Sequence, residues 1–270
     1  MRPVLVCLTL AALLSASACS GSGSERNGAS DESMKRAVAG WREFPAERHP
    51  RPIVLLGDLP GTSGAAKGAN RAEASIPLPT KNPGSTVVAL SDGEARLGQV
   101  SAAEAFGALA AHVARIPGEP REIRIVGSQY GVREWDTDRG PTKLPTWTFL
   151  TDSGGTAAWP ALAPGAFWQL GELRHSVSVE VTSAGPEQTR LSTAMMWPPS
   201  DCGDDKPGDD LLRYESESAV LIGLREAGSI RTDCDQNALG RMSERVIQLS
   251  KPLGGRVIID PHGNPVPVRH

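Results

Sequence analysis

The sequence predicts an α+β fold, strand-rich and mostly antiparallel, and three features of the chain carry that expectation. Its apolar runs are short and bounded by proline or glycine, of which there are 22 and 29 among 270 residues. Several runs alternate apolar with polar residues, the period of a strand with one buried face. Only two stretches show the period of an amphipathic helix.

The first helix is expected at about 31–43. Ser30 caps it, Asp31 and Glu32 suit the positive end of its dipole, and Met34, Ala37, Val38 and Trp41 share one face. Pro45, Pro50 and Pro52 end it, and Ile53-Val54-Leu55-Leu56 reads as a buried strand. Residues 57–85, polar and rich in glycine and proline, read as an irregular exposed loop. A strand is expected at 86–90, with Ser91-Asp92-Gly93 as the turn after it.

The strongest helix covers about 101–116, where Ser101 and Glu104 form a capping box and Phe106, Leu109, Ala110 and Val113 line one face until Pro117. Further strands are expected at 123–126, 147–150, 177–181, 219–222, 246–249 and 256–259. Prolines at 160 and 164 allow a division into two lobes, about 51–163 and 164–270. Trp147 and Phe149 share a strand face, so the mid-chain tryptophans are read as core bulk and not as a sugar-stacking row.

The chain opens with Arg2, an apolar run from Val4 to Leu14, and Ala16-Ser17-Ala18-Cys19. As a helix that run reaches about 16 Å, half of the roughly 30 Å hydrocarbon core, so it reads as an export signal over residues 1–18. Ala16-Ser17-Ala18-Cys19 resembles the lipobox of bacterial lipoproteins, with Ala16 where that family usually has leucine. The resemblance implies a diacylglyceryl group on Cys19. Ala16 and Ala18 also form an A-x-A site that an ordinary signal peptidase would cut at the same bond.

Cysteine arithmetic favours acylation. Removing the leader removes Cys7 and leaves Cys19, Cys202 and Cys234, and an exported protein rarely keeps an odd free thiol. Acylated Cys19 leaves Cys202 and Cys234 to pair, closing a loop of about 33 residues worth roughly 3–4 kcal/mol in the chain-entropy model. Residues 19–30, rich in serine and glycine, read as a flexible tether, and 31–270 as the extracytoplasmic body. Localisation on the outer side of the cell membrane follows.

Residues 137–163, with Arg139-Gly140-Pro141 and Leu144-Pro145-Thr146-Trp147-Thr148-Phe149, look like a segment shared by many actinobacterial envelope lipoproteins. So do Cys202-Gly203, Glu217-Ser218-Ala219-Val220, Cys234, Pro252-Leu253-Gly254-Gly255-Arg256-Val257 and the stretch from Asp260 to Val266. The resemblance implies an envelope lipoprotein group of unassigned activity and carries over no catalytic residue.

Chemical motifs are sparse. Gly57, Gly61, Gly64 and Lys67 imitate a phosphate loop, but Ala66 and Gly68 stand where that loop needs glycine and a hydroxyl residue. Gly127-Ser128-Gln129-Tyr130-Gly131 lacks the spacing of a nucleophile elbow, although Ser128 with His175 or His262 is a conceivable pair. The histidines lack metal-ligand spacing, and His112 reads as a packed, hydrogen-bonded ring. Asp201, Asp204, Asp205, Asp209 and Asp210 are weak calcium candidates without the twelve-residue calcium-loop spacing, and Arg139 discounts Asp136 and Asp138 as ligands.

A net charge of −3 with both signs interspersed points away from nucleic acid. The reading is a non-enzymatic binding or structural module of the envelope, without cofactor, that meets the membrane through its lipid and an envelope protein, glycan or small ligand through its body. The alternatives are a secreted hydrolase acting on cell-wall polymers, with Asp136, Asp138 or His175 in the reaction, and a solute-binding protein.

Overall fold

The computed structural model describes residues 31–57, 59, 61–174, 176, 179–183, 187–197, 211–224 and 241–268. Within them the chain is α+β and strand-rich, as expected. Ladders are antiparallel apart from a short parallel pairing at one edge of each of two sheets.

The first sheet has the order β1-β4-β5-β6, formed by Arg71–Ala74, Glu122–Thr137, Gly140–Thr151 and Thr156–Pro160. Helix α2, Ala102–Val113, packs on it through Leu109 and Val113, and Phe106 meets Phe149 edge-on at 5.6 Å. The capping box forms as expected: the Ser101 hydroxyl accepts from the Glu104 N–H at 3.2 Å, and the Glu104 carboxylate accepts from the Ser101 N–H at 2.8 Å. A hairpin, β2 Ser85–Leu90 and β3 Gly93–Gly98, lies beside β5. Trp135, Trp147 and Trp159 are all buried in this core.

The second core is a sandwich. One sheet, β12-β10-β9, comprises Val257–Ile259, Ala219–Leu224 and Leu211–Glu215; the other, β11-β8-β7, comprises Arg241–Gln248, Arg190–Trp197 and Val179–Ser183. Strand β10 is buried on both faces, which is why Ala219-Val220-Leu221-Ile222 is continuously apolar. Val220 and Ile222 face the opposing sheet, while Ala219 and Leu221 face α1, Asp31–Ala39. Met34 and Val38 on that helix are buried as its period predicts; the helix ends at Ala39, short of the expected 43, and the buried Trp41 lies in the turn after it, its indole donating to Gly263 O at 2.9 Å.

Residues 53–56 join the two cores. Ile53 and Leu55 point into the first, Val54 and Leu56 into the second. The segment is bonded on both flanks: Ile53 N–H donates to Ala166 O and Leu56 N–H to Asp136 O, each at 2.9 Å, and Asp138 N–H donates to Val54 O at 3.1 Å.

The stretch from 57 to 85 is more ordered than its composition predicts. A 3-10 turn, Gly64–Ala66, leads to β1, and Leu59, Ala66 and Ala69 are buried. Parallel pairing with β4 supplies what the strand-poor sequence Arg-Ala-Glu-Ala does not.

Candidate functional site

Two turns and the segment before residue 53 deliver four charged side chains to the start of the joint. Arg51 precedes it, Asp92 sits in the β2–β3 turn, and Asp138 and Arg139 occupy the β4–β5 turn. Gly140 takes a φ of 90° there, a conformation open to glycine, and the Thr137 hydroxyl donates to Gly140 O at 2.6 Å. Arg51 Nη1 donates to Asp138 Oδ2 and Arg139 Nη1 to Asp92 Oδ1, each at 2.5 Å. Asp92 also accepts from the Arg51 N–H, and Arg139 Nη2 donates to the carbonyls of Arg51 and Pro52.

The quartet is electrically neutral and enclosed, with the Asp138 side chain 2 % exposed. It is incompletely satisfied: Asp138 Oδ1 and Arg139 Nε have no hydrogen-bond partner and face each other at 4.0 Å. Burial pushes the Arg139 guanidinium below its ordinary range, while Asp138 and Asp92 pull it back and Arg51 opposes them. It stays charged nonetheless. The Arg51 guanidinium also lies over the Phe44 ring at 5.5 Å, tying the quartet to the Trp41–Phe44–Trp168 aromatic cluster.

Beside the quartet opens a cleft of about 180 Å³ between residues 48–53, strand β3 and residues 165–166. Ile53, Ala95 and Ala166 give it an apolar inner wall, and the exposed Arg48, Glu94 and Arg96 stand at its mouth. Its inner wall belongs to the joint and the hairpin that the ion pairs fasten together, so the quartet holds the cleft in shape.

Of the residues that the sequence singled out, Asp138 is locked against Arg51, whereas Asp136 is exposed. Ser128 lies on β4 opposite Phe149, while His262 sits in the turn after β12, so the two belong to different cores. Gly61 lies in a loop and Gly64 opens the 3-10 turn that leads to β1, with no α-helix between them and β1 to complete a phosphate site. His112 is the packed ring expected, with Nε2 on Leu59 O at 2.6 Å and the ring against Trp159. Its pKa is lowered, chiefly by burial, with the Leu59 carbonyl opposing and Arg115 assisting.

Cys19, Cys202, Cys234, His175 and the acids Asp201, Asp204, Asp205, Asp209 and Asp210 lie outside the described residues. Among the described residues no cluster of potential metal ligands occurs, and no helix is long and apolar enough to cross a membrane. Sequence reasoning missed Arg51 and took Asp92 as a turn former; Arg48, Glu94 and Arg96 carried no signal at all. No family model, curated protein or solved structure matches the chain.

Proposed function

We propose that this chain is an extracytoplasmic binding protein, fastened to the outer membrane face by acyl chains on Cys19, whose body takes a small ligand in the cleft beside the Arg51 quartet. The observation that carries this reading is the combination of an apolar inner wall with charges at the mouth that have no ion-pair partner among the described residues, over a charged scaffold enclosed by protein. An apolar wall with a few polar groups at its rim is the arrangement by which proteins hold and orient small ligands. Asp138 serves this role and not that of a general acid, because its side chain is enclosed by protein and paired with Arg51.

A Cys202–Cys234 bridge belongs to the same proposal, and strand topology supports it. Trp197 pairs with Arg241 and Leu211 with Leu224. The Arg213 side chain reaches the Gln248 carbonyl and Glu215 reaches Ser250, so β9 and β11 run alongside in the same direction. Trp197, Leu211, Leu224 and Arg241, the described residues nearest the two cysteines in sequence, therefore lie toward one end of the sandwich.

The test of the binding reading is the melting temperature of the full chain against a panel of acidic, basic and neutral small molecules, repeated with Gly165→Leu. A Cβ at Gly165 meets nothing within 4 Å, so leucine there intrudes on the cleft without straining the fold. A ligand-dependent rise of about 3 kcal/mol equivalent at a hundredfold excess over Kd, absent in the variant, is expected. No rise with any member of the panel refutes it. Mass spectrometry of the mature N-terminus checks acylation of Cys19 separately.

A further inference from the structure

We infer, resting on the reading of the cleft as a binding site, that its ligand is a short peptide ending in a free carboxylate. Three features of the cleft converge on that chemistry. The first is an open strand edge. Strand β3 pairs with β2 on one side, and among the described residues the main chain of Glu94–Leu97 has no hydrogen-bonding strand on the other. An extended peptide entering the cleft lies along that edge and exchanges main-chain hydrogen bonds with it.

The second is the inner wall. Ile53, Ala95 and Ala166 present methyl and methylene groups and no polar side chain, which suits an aliphatic side chain of the peptide. A volume of about 180 Å³ is room for about six waters at roughly 30 Å³ each, so only the last residue or two of a peptide enters.

The third is the charge at the mouth. Arg48 and Arg96 have no ion-pair partner among the described residues, and a guanidinium fork matches a carboxylate with two parallel hydrogen bonds. Glu94 lies two residues from Arg96 on the same face of β3 and accepts from a peptide N–H or ammonium. The mouth carries a net single positive charge. A polyanion meets Glu94 and a simple cation meets two arginines, whereas a peptide terminus satisfies both signs.

The experiment is isothermal titration of the full-length chain in detergent with Ala-Ala-Ala as the free acid and as its C-terminal amide. The free acid binds, the amide binds about tenfold more weakly, and Arg48→Ala and Arg96→Ala each lose about tenfold for the acid but not for the amide. Both arginines are exposed, so unchanged melting curves confirm that the variants fold. Equal affinity for acid and amide overturns the carboxylate assignment, as does indifference to both substitutions. If neither peptide binds while another panel member still raises the melting temperature of the native chain but not of Gly165→Leu, the peptide assignment falls and the binding reading stands. If nothing binds, both fall.

Discussion

Two of the arginines buried among the described residues, Arg256 and Arg139, are enclosed differently. Every nitrogen of Arg256 is spoken for: Nη1 donates to Glu215 Oε2 at 2.9 Å, Nε to Leu253 O, and Nη2 to the Lys251 and Pro252 carbonyls. Burial alone would raise the Glu215 pKa, but hydrogen bonds from Arg256 and from Ser250 hold it below its ordinary value. Arg139, by contrast, leaves Nε without an acceptor, faces an equally unpartnered Asp138 Oδ1, and stands behind a cleft. A fully satisfied buried charge clamps a loop; a partly satisfied one beside an opening marks where the fold accepts poor bonding to hold a shape. The Pro252-Leu253-Gly254-Gly255-Arg256 motif is thereby a structural clamp, while Asp138-Arg139-Gly140 belongs to the site.

The largest expected difference lies in breaking each pair. Asp138→Ala strands the buried Arg51 charge and costs about 3–5 kcal/mol, on the order of 6–20 °C in melting temperature for a domain of this size. Glu215→Ala costs less, about 1.5–3 kcal/mol, because Arg256 retains three carbonyl acceptors. Thermal unfolding of both variants measures this, and an equal or larger loss from Glu215→Ala breaks the comparison.

Glycines extend it. A Cβ on Gly255 would sit 1.9 Å from Ala46 O, so Gly255→Ala forces the clamp loop off the Ala46 backbone at a cost of about 1–3 kcal/mol. Gly165→Leu at the cleft should stay within about 0.5 kcal/mol in denaturant titration. A large loss there would mean that the cleft is packed space and not a receptor.

The smallest effects are in pH. His112 has a native pKa below its ordinary 6.5, so between those two values the unfolded chain binds more protons and stability rises with pH; it falls as pH drops below 6.5. Glu215, held below 4.5, contributes stability that is present above 4.5 and lost only as pH falls through its lower native value. Urea titrations should therefore show a slope just below pH 6.5 that His112→Gln flattens and Glu215→Gln leaves alone.

Local patterns were legible in the sequence wherever local chemistry decides. The Ser101–Glu104 capping box, the apolar stripe of α1 and the strand at 219–222 are read directly from residue types. Strands β1, β3, β6, β8 and β9 were not anticipated, because Arg-Ala-Glu-Ala or Gly-Glu-Ala-Arg-Leu-Gly has little strand preference and is recruited by its partner. Strand β4 also runs far beyond the expected 123–126, carried past a bulge after Ile125 by β5. The site was illegible for a different reason. Arg51 lies 41 positions from Asp92 and 87 from Asp138, and no spacing rule links residues that only the joint at 53–56 brings together.

Amide chemical-shift mapping of the full chain titrated with the Ala-Ala-Ala free acid tests the central claim most directly. The account predicts that the largest shifts fall on residues 48–53, Glu94 to Leu97 and residues 165–166. Shifts confined to the Arg256 clamp, to the outer strand β11 or to no described residue would contradict it.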